Sequence, residues 1–141
     1  EHLIATGEKG MASMARGGVI ADLLPCTSLY LNKTFAPARR MIELGIPVAI
    51  ASDFNPGSCP SLNLQLAMSM GYIKYRMTPE EVLTAVTINA AASCGLEEKV
   101  GTLEVGKQAD LVIWNAPDME MLVYRFGSNL AETVIKRGEI V

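Results

Sequence analysis

Apolar and polar positions fall into two textures along this chain. Up to about residue 95, short unbroken apolar runs alternate with stretches whose apolar residues recur every three or four positions. Beyond it, short apolar runs follow one another with only turns between them. In the first part, Met11, Met14 and Ala15 share the helical spacing of residues 7–16, which Gly17-Gly18 closes. Residues 19–24 read as a buried strand stopped by Pro25, and residues 26–34 as a loop holding Tyr30 and Leu31. A second helix is expected over 36–44, with Pro37 in its first turn, Arg39 and Arg40 exposed, and Gly45 past its end. Residues 47–52 form the next buried strand.

Ser61 is placed to cap a helix over 62–75, with Leu62, Leu66, Ser69 and Ile73 on one face. Thr78-Pro79-Glu80-Glu81 is a stronger helix start, because Thr78 and Glu81 have capping-box spacing and Pro79 suits the first helical position. That helix is expected to run through Val82, Leu83, Val86 and Ala90 to near Gly95. This alternation of helix and strand predicts a parallel α/β architecture. The later texture is turn-rich over 101–110, with strands expected at 111–114, 123–125, 133–136 and 140–141. A domain boundary is therefore expected near residues 96–100, dividing 1–98 from 99–141.

Composition narrows the function classes. Half of the 141 residues are apolar, so a sizeable core can be buried. The net charge of -3 gives no basic stripe for nucleic acid. No apolar run is long enough to span a bilayer, and no export signal opens the chain, so a membrane partner is not expected. Cys26, Cys59 and Cys94 lack paired spacing and read as reduced, mostly packed thiols of a cytoplasmic protein. The absence of an initiator Met and the stop at Glu139-Ile140-Val141, inside an expected strand, lead us to expect a fragment or a chain completed by something else.

The candidate chemistry centres on Ser52-Asp53-Phe54-Asn55-Pro56-Gly57-Ser58, directly after a buried strand. A carboxylate at a strand end, followed by a polar turn, is how α/β barrels present a catalytic group. Two readings of Asp53 stand together: a metal-binding, proton-exchanging carboxylate, or a turn cap. His2, the single histidine, is either a catalytic imidazole or a surface residue. Asn55, Gly57 and Ser58 offer an amide, a backbone N–H and a hydroxyl to a ligand, or they simply build the turn. One His and one Asp do not complete a zinc site, which needs at least three protein ligands. Asp22 reads as structural, and the helical methionines read as core filler. Residues 101–106 look like a phosphate loop only superficially, since the Lys-Ser/Thr ending is missing.

With these residues in view, the chain resembles the imidazolonepropionases of the metal-dependent amidohydrolase superfamily over essentially its whole length. The sharpest element is the Ser52 to Ser58 run. Gly18-Val19-Ile20-Ala21 with Leu23-Leu24-Pro25, Ala36-Pro37-Ala38-Arg39 and Thr87-Ile88-Asn89-Ala90-Ala91 support it. Gly101-Thr102-Leu103 and Ala109-Asp110-Leu111 are shared more widely across the superfamily. The resemblance implies an α/β fold: the C-terminal third of a (β/α)8 amidohydrolase barrel, followed by part of a small β-sandwich. It implies that Asp53 binds one Zn2+ or Fe3+ ion and exchanges a proton during hydrolysis. His2 would face the reacting water and substrate, and Asn55, Gly57 and Ser58 would contact substrate. The implied reaction opens the cyclic amide of 4-imidazolone-5-propanoate to N-formimidoyl-L-glutamate in histidine degradation, within a homodimeric parent enzyme. A sister cyclic amidohydrolase or deaminase, and a non-catalytic α/β domain, are the alternatives. The last predicts that His2 and Asp53 stand well apart.

Overall fold

The computed structural model of the chain describes residues 1–141. Its elements are α1 (Glu8–Gly17), β1 (Ala21–Leu23), α2 (Pro25–Tyr30), α3 (Ala38–Glu43), β2 (Val48–Ile50), α4 (Leu64–Tyr75), α5 (Pro79–Val86), α6 (Ile88–Ser93), β3 (Leu111–Trp114), α7 (Met119–Tyr124), β4 (Ala131–Lys136) and β5 (Glu139–Ile140). β1 and β2 pair in parallel, with Asp22 opposite Ala49 and Leu23 opposite Ile50. The later strands form a separate antiparallel sheet in the order β3-β4-β5.

The parallel pair lies inside the core. Ala21, Leu23, Val48, Ala49 and Ile50 are all buried, as strands covered on both faces must be. α4 packs against β2, α2, α5 and α7 and buries Gln65, Ala67, Met68, Ser69, Met70, Gly71 and Tyr75. The expected face of that helix holds in its middle, where Ser69 is buried and Leu66 packs on the core, and fails at its ends, where Leu62 is 74% and Ile73 50% exposed. A helix that buries Gln65 and Ser69 while exposing Tyr72 and Ile73 has no single apolar stripe to read. Gly71 permits the close approach, because a Cβ there would come within 2.7 Å of Ile50 Cδ1.

Other expectations hold at some ends and fail at others. Gly18 takes the left-handed conformation that closes α1, and Thr78 and Glu81 complete their capping box. Glu81 also receives Arg39 in a two-pronged pair at 2.8 Å on each oxygen, so Arg39 is half-buried and not a free surface cation. α4 is capped by Asn63, whose side chain accepts from the Leu66 N–H at 3.0 Å, and not by Ser61. The helix expected to reach Gly95 breaks at Thr87, whose hydroxyl turns back onto the Leu83 carbonyl at 2.6 Å. Residues 26–30 are helical, with Pro25 beginning α2 where it was expected only to end a strand. Residues 123–124 belong to α7, capped by the Asp118 side chain, and not to a strand. Cys26 and Cys59 are packed as expected, whereas Cys94 is exposed.

The antiparallel sheet is fastened by one carboxylate. Asp110 Oδ2 accepts from Lys136 Nζ at 2.6 Å and Gln108 Nε2 at 2.8 Å, while Oδ1 accepts from the Arg137 N–H at 2.8 Å. These bonds tie the start of β3 to the β4–β5 turn and pull the Asp110 carboxyl down from 3.8 to about 2, with the Lys136 hydrogen bond the largest cause. A carboxyl lowered in the fold contributes stability above its unfolded value, and that contribution is lost as pH falls toward the folded value. Asp110→Asn is therefore expected to lower the urea midpoint at pH 7, and the two proteins should converge toward pH 2. Fluorescence of Trp114, the single tryptophan, reports the transition, and a pH-independent difference would count against this account.

Candidate active site

Asp53 stands just past the C-terminal end of β2, where the buried strand gives way to a turn. Its φ is +55°, a left-handed conformation that aspartate tolerates better than most residues. The backbone is held from behind. Asn55 Nδ2 donates to the Asp53 carbonyl at 2.8 Å, and Asn55 Oδ1 accepts from the Gly57 N–H at 3.0 Å, the Ser58 N–H at 2.7 Å and Ser58 Oγ at 3.1 Å. Backbone bonds between Asn55 and Cys59 close the loop, and the buried Cys59 thiol donates to the Ser52 carbonyl at 3.0 Å. The turn is thus a small rigid knot centred on one amide.

The Asp53 side chain points back toward the strand ends. Thr27 Oγ1, on α2, donates to Asp53 Oδ2 at 2.5 Å. His2 Nε2 lies 3.9 Å from the same oxygen. His2 is held by its own N–H, which donates to the Asp22 carbonyl of β1 at 3.0 Å. Leu3 and Ile4 behind it pack on the core. The Asp22 side chain is turned away to accept from Ser93 Oγ at 2.7 Å, a fastening of α6 to β1. Asp53 Oδ1 makes no hydrogen bond within the chain.

Of the residues singled out by sequence, His2 and Asp53 converge, so the separation expected of a non-catalytic domain is not found. Asn55, Gly57 and Ser58 also lie beside Asp53, but their polar groups face one another. The Asn55 amide is engaged at both ends, and the Gly57 and Ser58 N–H groups are directed at it. Thr27 was missed. It lies in a stretch read as loop, and its partner is 26 residues away, so no local spacing marks it.

In donor chemistry, carboxylate and imidazole are both groups that hold zinc. No group of three His, Cys, Asp or Glu side chains converges anywhere in the chain. A cavity of about 280 Å3 lies at the other end of β2, lined by Ile46, Pro47, Val48, Glu81 and Asn89 among others. Two of its polar side chains are already engaged, since Glu81 is paired with Arg39 and Asn89 donates to the Val48 carbonyl. Ligands of α/β sheets bind at the carboxyl ends of the strands, which is the Asp53 end.

The sequence matches the amidohydrolase family over residues 2–141. It is 50% identical over 142 residues to the imidazolonepropionase of Alkaliphilus metalliredigens, covering 100% of this chain and 34% of that protein. It is 48% identical over 141 residues to the imidazolonepropionase of Fusobacterium nucleatum, again with 34% of that protein covered. The chain therefore spans about a third of the length of the curated relatives it matches. Among solved structures, an adenosine deaminase from Xanthomonas campestris with bound zinc superposes with a TM-score of 0.89 at 24% identity, over 99% of this chain and 35% of that one. Atrazine chlorohydrolase TrzN from Arthrobacter aurescens, complexed with zinc, gives 0.87 at 22% identity, over 99% and 34%. The α/β arrangement described above is thus a part of the fold those enzymes share.

Proposed function

The chain belongs to the amidohydrolase family, and from that premise we propose that it forms one third of a cytoplasmic, homodimeric hydrolase that opens the ring amide of 4-imidazolone-5-propanoate. The observation that carries this reading is the Asp53 carboxylate at the end of β2. Thr27 and His2 are gathered on one of its oxygens, and the chain is about half identical to imidazolonepropionases. In this reading Asp53 holds the metal ion, zinc or ferric iron. His2 stands across from it, and the other ligands come from outside these 141 residues. When bound, such an ion supplies Lewis acidity and makes a water acidic enough to lose its proton near neutrality.

The chain's own residues then divide the work. Asp53 takes a proton from the attacking water and returns it to the ring nitrogen as the C–N bond breaks. His2 donates toward the oxygen on which negative charge develops. Asn55 holds the turn, so that Gly57 and Ser58 form a fixed wall beside the substrate, with Ser58 Oγ retaining lone pairs to accept from it. Residues 1–98 are proposed as barrel and 99–141 as part of the flanking β-domain.

A hybrid tests the reading: residues 1–141 replace the matching third of the Alkaliphilus metalliredigens enzyme, and loss of the imidazolone is followed by absorbance. Turnover within about tenfold of the parent is expected. The 141 residues alone should bind zinc weakly and leave the substrate intact, because two converging donors fall short of the three protein ligands zinc requires. A folded, metal-loaded hybrid without turnover, or hydrolysis by the isolated chain, would overturn it.

A further inference from the structure

We propose that Thr27 is a positioning residue that fixes the Asp53 carboxylate, holding Oδ2 through its hydroxyl so that Oδ1 is presented to the metal. The inference rests on the function proposed above and adds a residue to it. Four observations carry it.

Thr27 is 5% exposed, so its hydroxyl cannot turn to bulk water for a partner. It donates to Asp53 Oδ2 at 2.5 Å and is the only hydrogen-bond donor to that carboxylate within the chain, since His2 at 3.9 Å is out of range. The neighbouring Ser28 hydroxyl follows the local habit of helical serines and turns back to the Leu24 carbonyl at 3.5 Å. Thr27 forgoes that bond and reaches across 26 residues. Finally, the two ends of Asp53 are held from different elements. Asn55 fixes its backbone carbonyl from the turn, and Thr27 fixes its carboxylate from α2, which is itself anchored by buried Pro25, Cys26 and Ser28. Without that bond the Asp53 carboxylate would be free to swing about its final torsion. Partners of this kind orient metal-binding groups and affect affinity through them.

The test uses the hybrid protein with Thr27→Val, which keeps the side chain's shape and removes the donor, and Thr27→Ser, which keeps the donor and removes a methyl. Zinc affinity is measured by competition with a chelator, and kcat and KM on the imidazolone. Thr27→Val is expected to weaken zinc binding and lower kcat by about 10- to 100-fold with KM little changed, and Thr27→Ser to restore both to within about threefold of the parent. Zinc affinity and kcat of Thr27→Val equal to those of the parent would overturn the proposal. So would a Thr27→Ser protein as impaired as Thr27→Val, which would mean that the methyl packing and not the hydroxyl matters. A hybrid that binds zinc through Asp53 yet leaves the imidazolone intact would sink the substrate reading alone, and the zinc affinities would still decide Thr27.

Discussion

Asp53→Asn is expected to lower imidazolone hydrolysis by the hybrid enzyme about 10³-fold while leaving its fold intact. The two halves of that expectation have separate causes. Asparagine has nearly the shape of aspartate, tolerates the positive φ at this position, and its amide oxygen can still accept from Thr27. Asp53 contributes little to the core, so the urea midpoint should move by no more than about 0.5 kcal/mol in stability terms. What the substitution removes is the charge that holds a cation and the basicity that receives a proton. Zinc affinity should fall with activity, and by more than in Thr27→Val, because Thr27 acts only through the carboxylate. Turnover near the parent level in a zinc-loaded Asp53→Asn protein would return Asp53 to the role of a turn cap.

The sequence makes the site's location legible but not its support. A buried apolar run ending in an acid and a turn is a local pattern, and it predicts β2 and the turn that follows it. Thr78 and Glu81 likewise lie within one helical turn of each other. The features that were missed depend on distant partners or on tertiary packing. Residues 26–30 carry Thr, Ser and Tyr, which give no helical stripe, and α2 is set by where Pro25 leaves β1. Val123 and Tyr124 favour strands by propensity, yet the Asp118 cap starts a helix whose Leu122 and Val123 enter the core. Gln65 shows the same limit. Its amide reaches the Leu122 carbonyl at 3.1 Å and the Leu130 N–H at 2.8 Å, joining α4 to the last segment across more than 50 residues. The Asn55 turn was recognised as polar, but only the fold reveals that its donors face inward.

The second large effect is structural and concerns the Gly101-Thr102-Leu103 segment, whose glycine sequence alone reads only as a turn. Gly101 has φ +98° and lies against α6, so that an added Cβ would come within 2.9 Å of Ala91 Cβ and 3.0 Å of Ile88 Cα. The second of these contacts is backbone and cannot swing aside. Gly106 has a nearly equal φ of +95° but nothing within 4 Å of its would-be Cβ. The pair therefore separates backbone strain from steric contact. Gly106→Ala should destabilise the chain by about 1 kcal/mol, through conformation alone. Gly101→Ala should cost about 3 kcal/mol, because overpacking against a fixed neighbour is added to the same strain. Urea unfolding followed by Trp114 fluorescence measures both. Equal losses would show that the close packing of this segment on α6 contributes nothing. A large excess at Gly101 would explain why a glycine is needed where the chain leaves α6 for the antiparallel sheet.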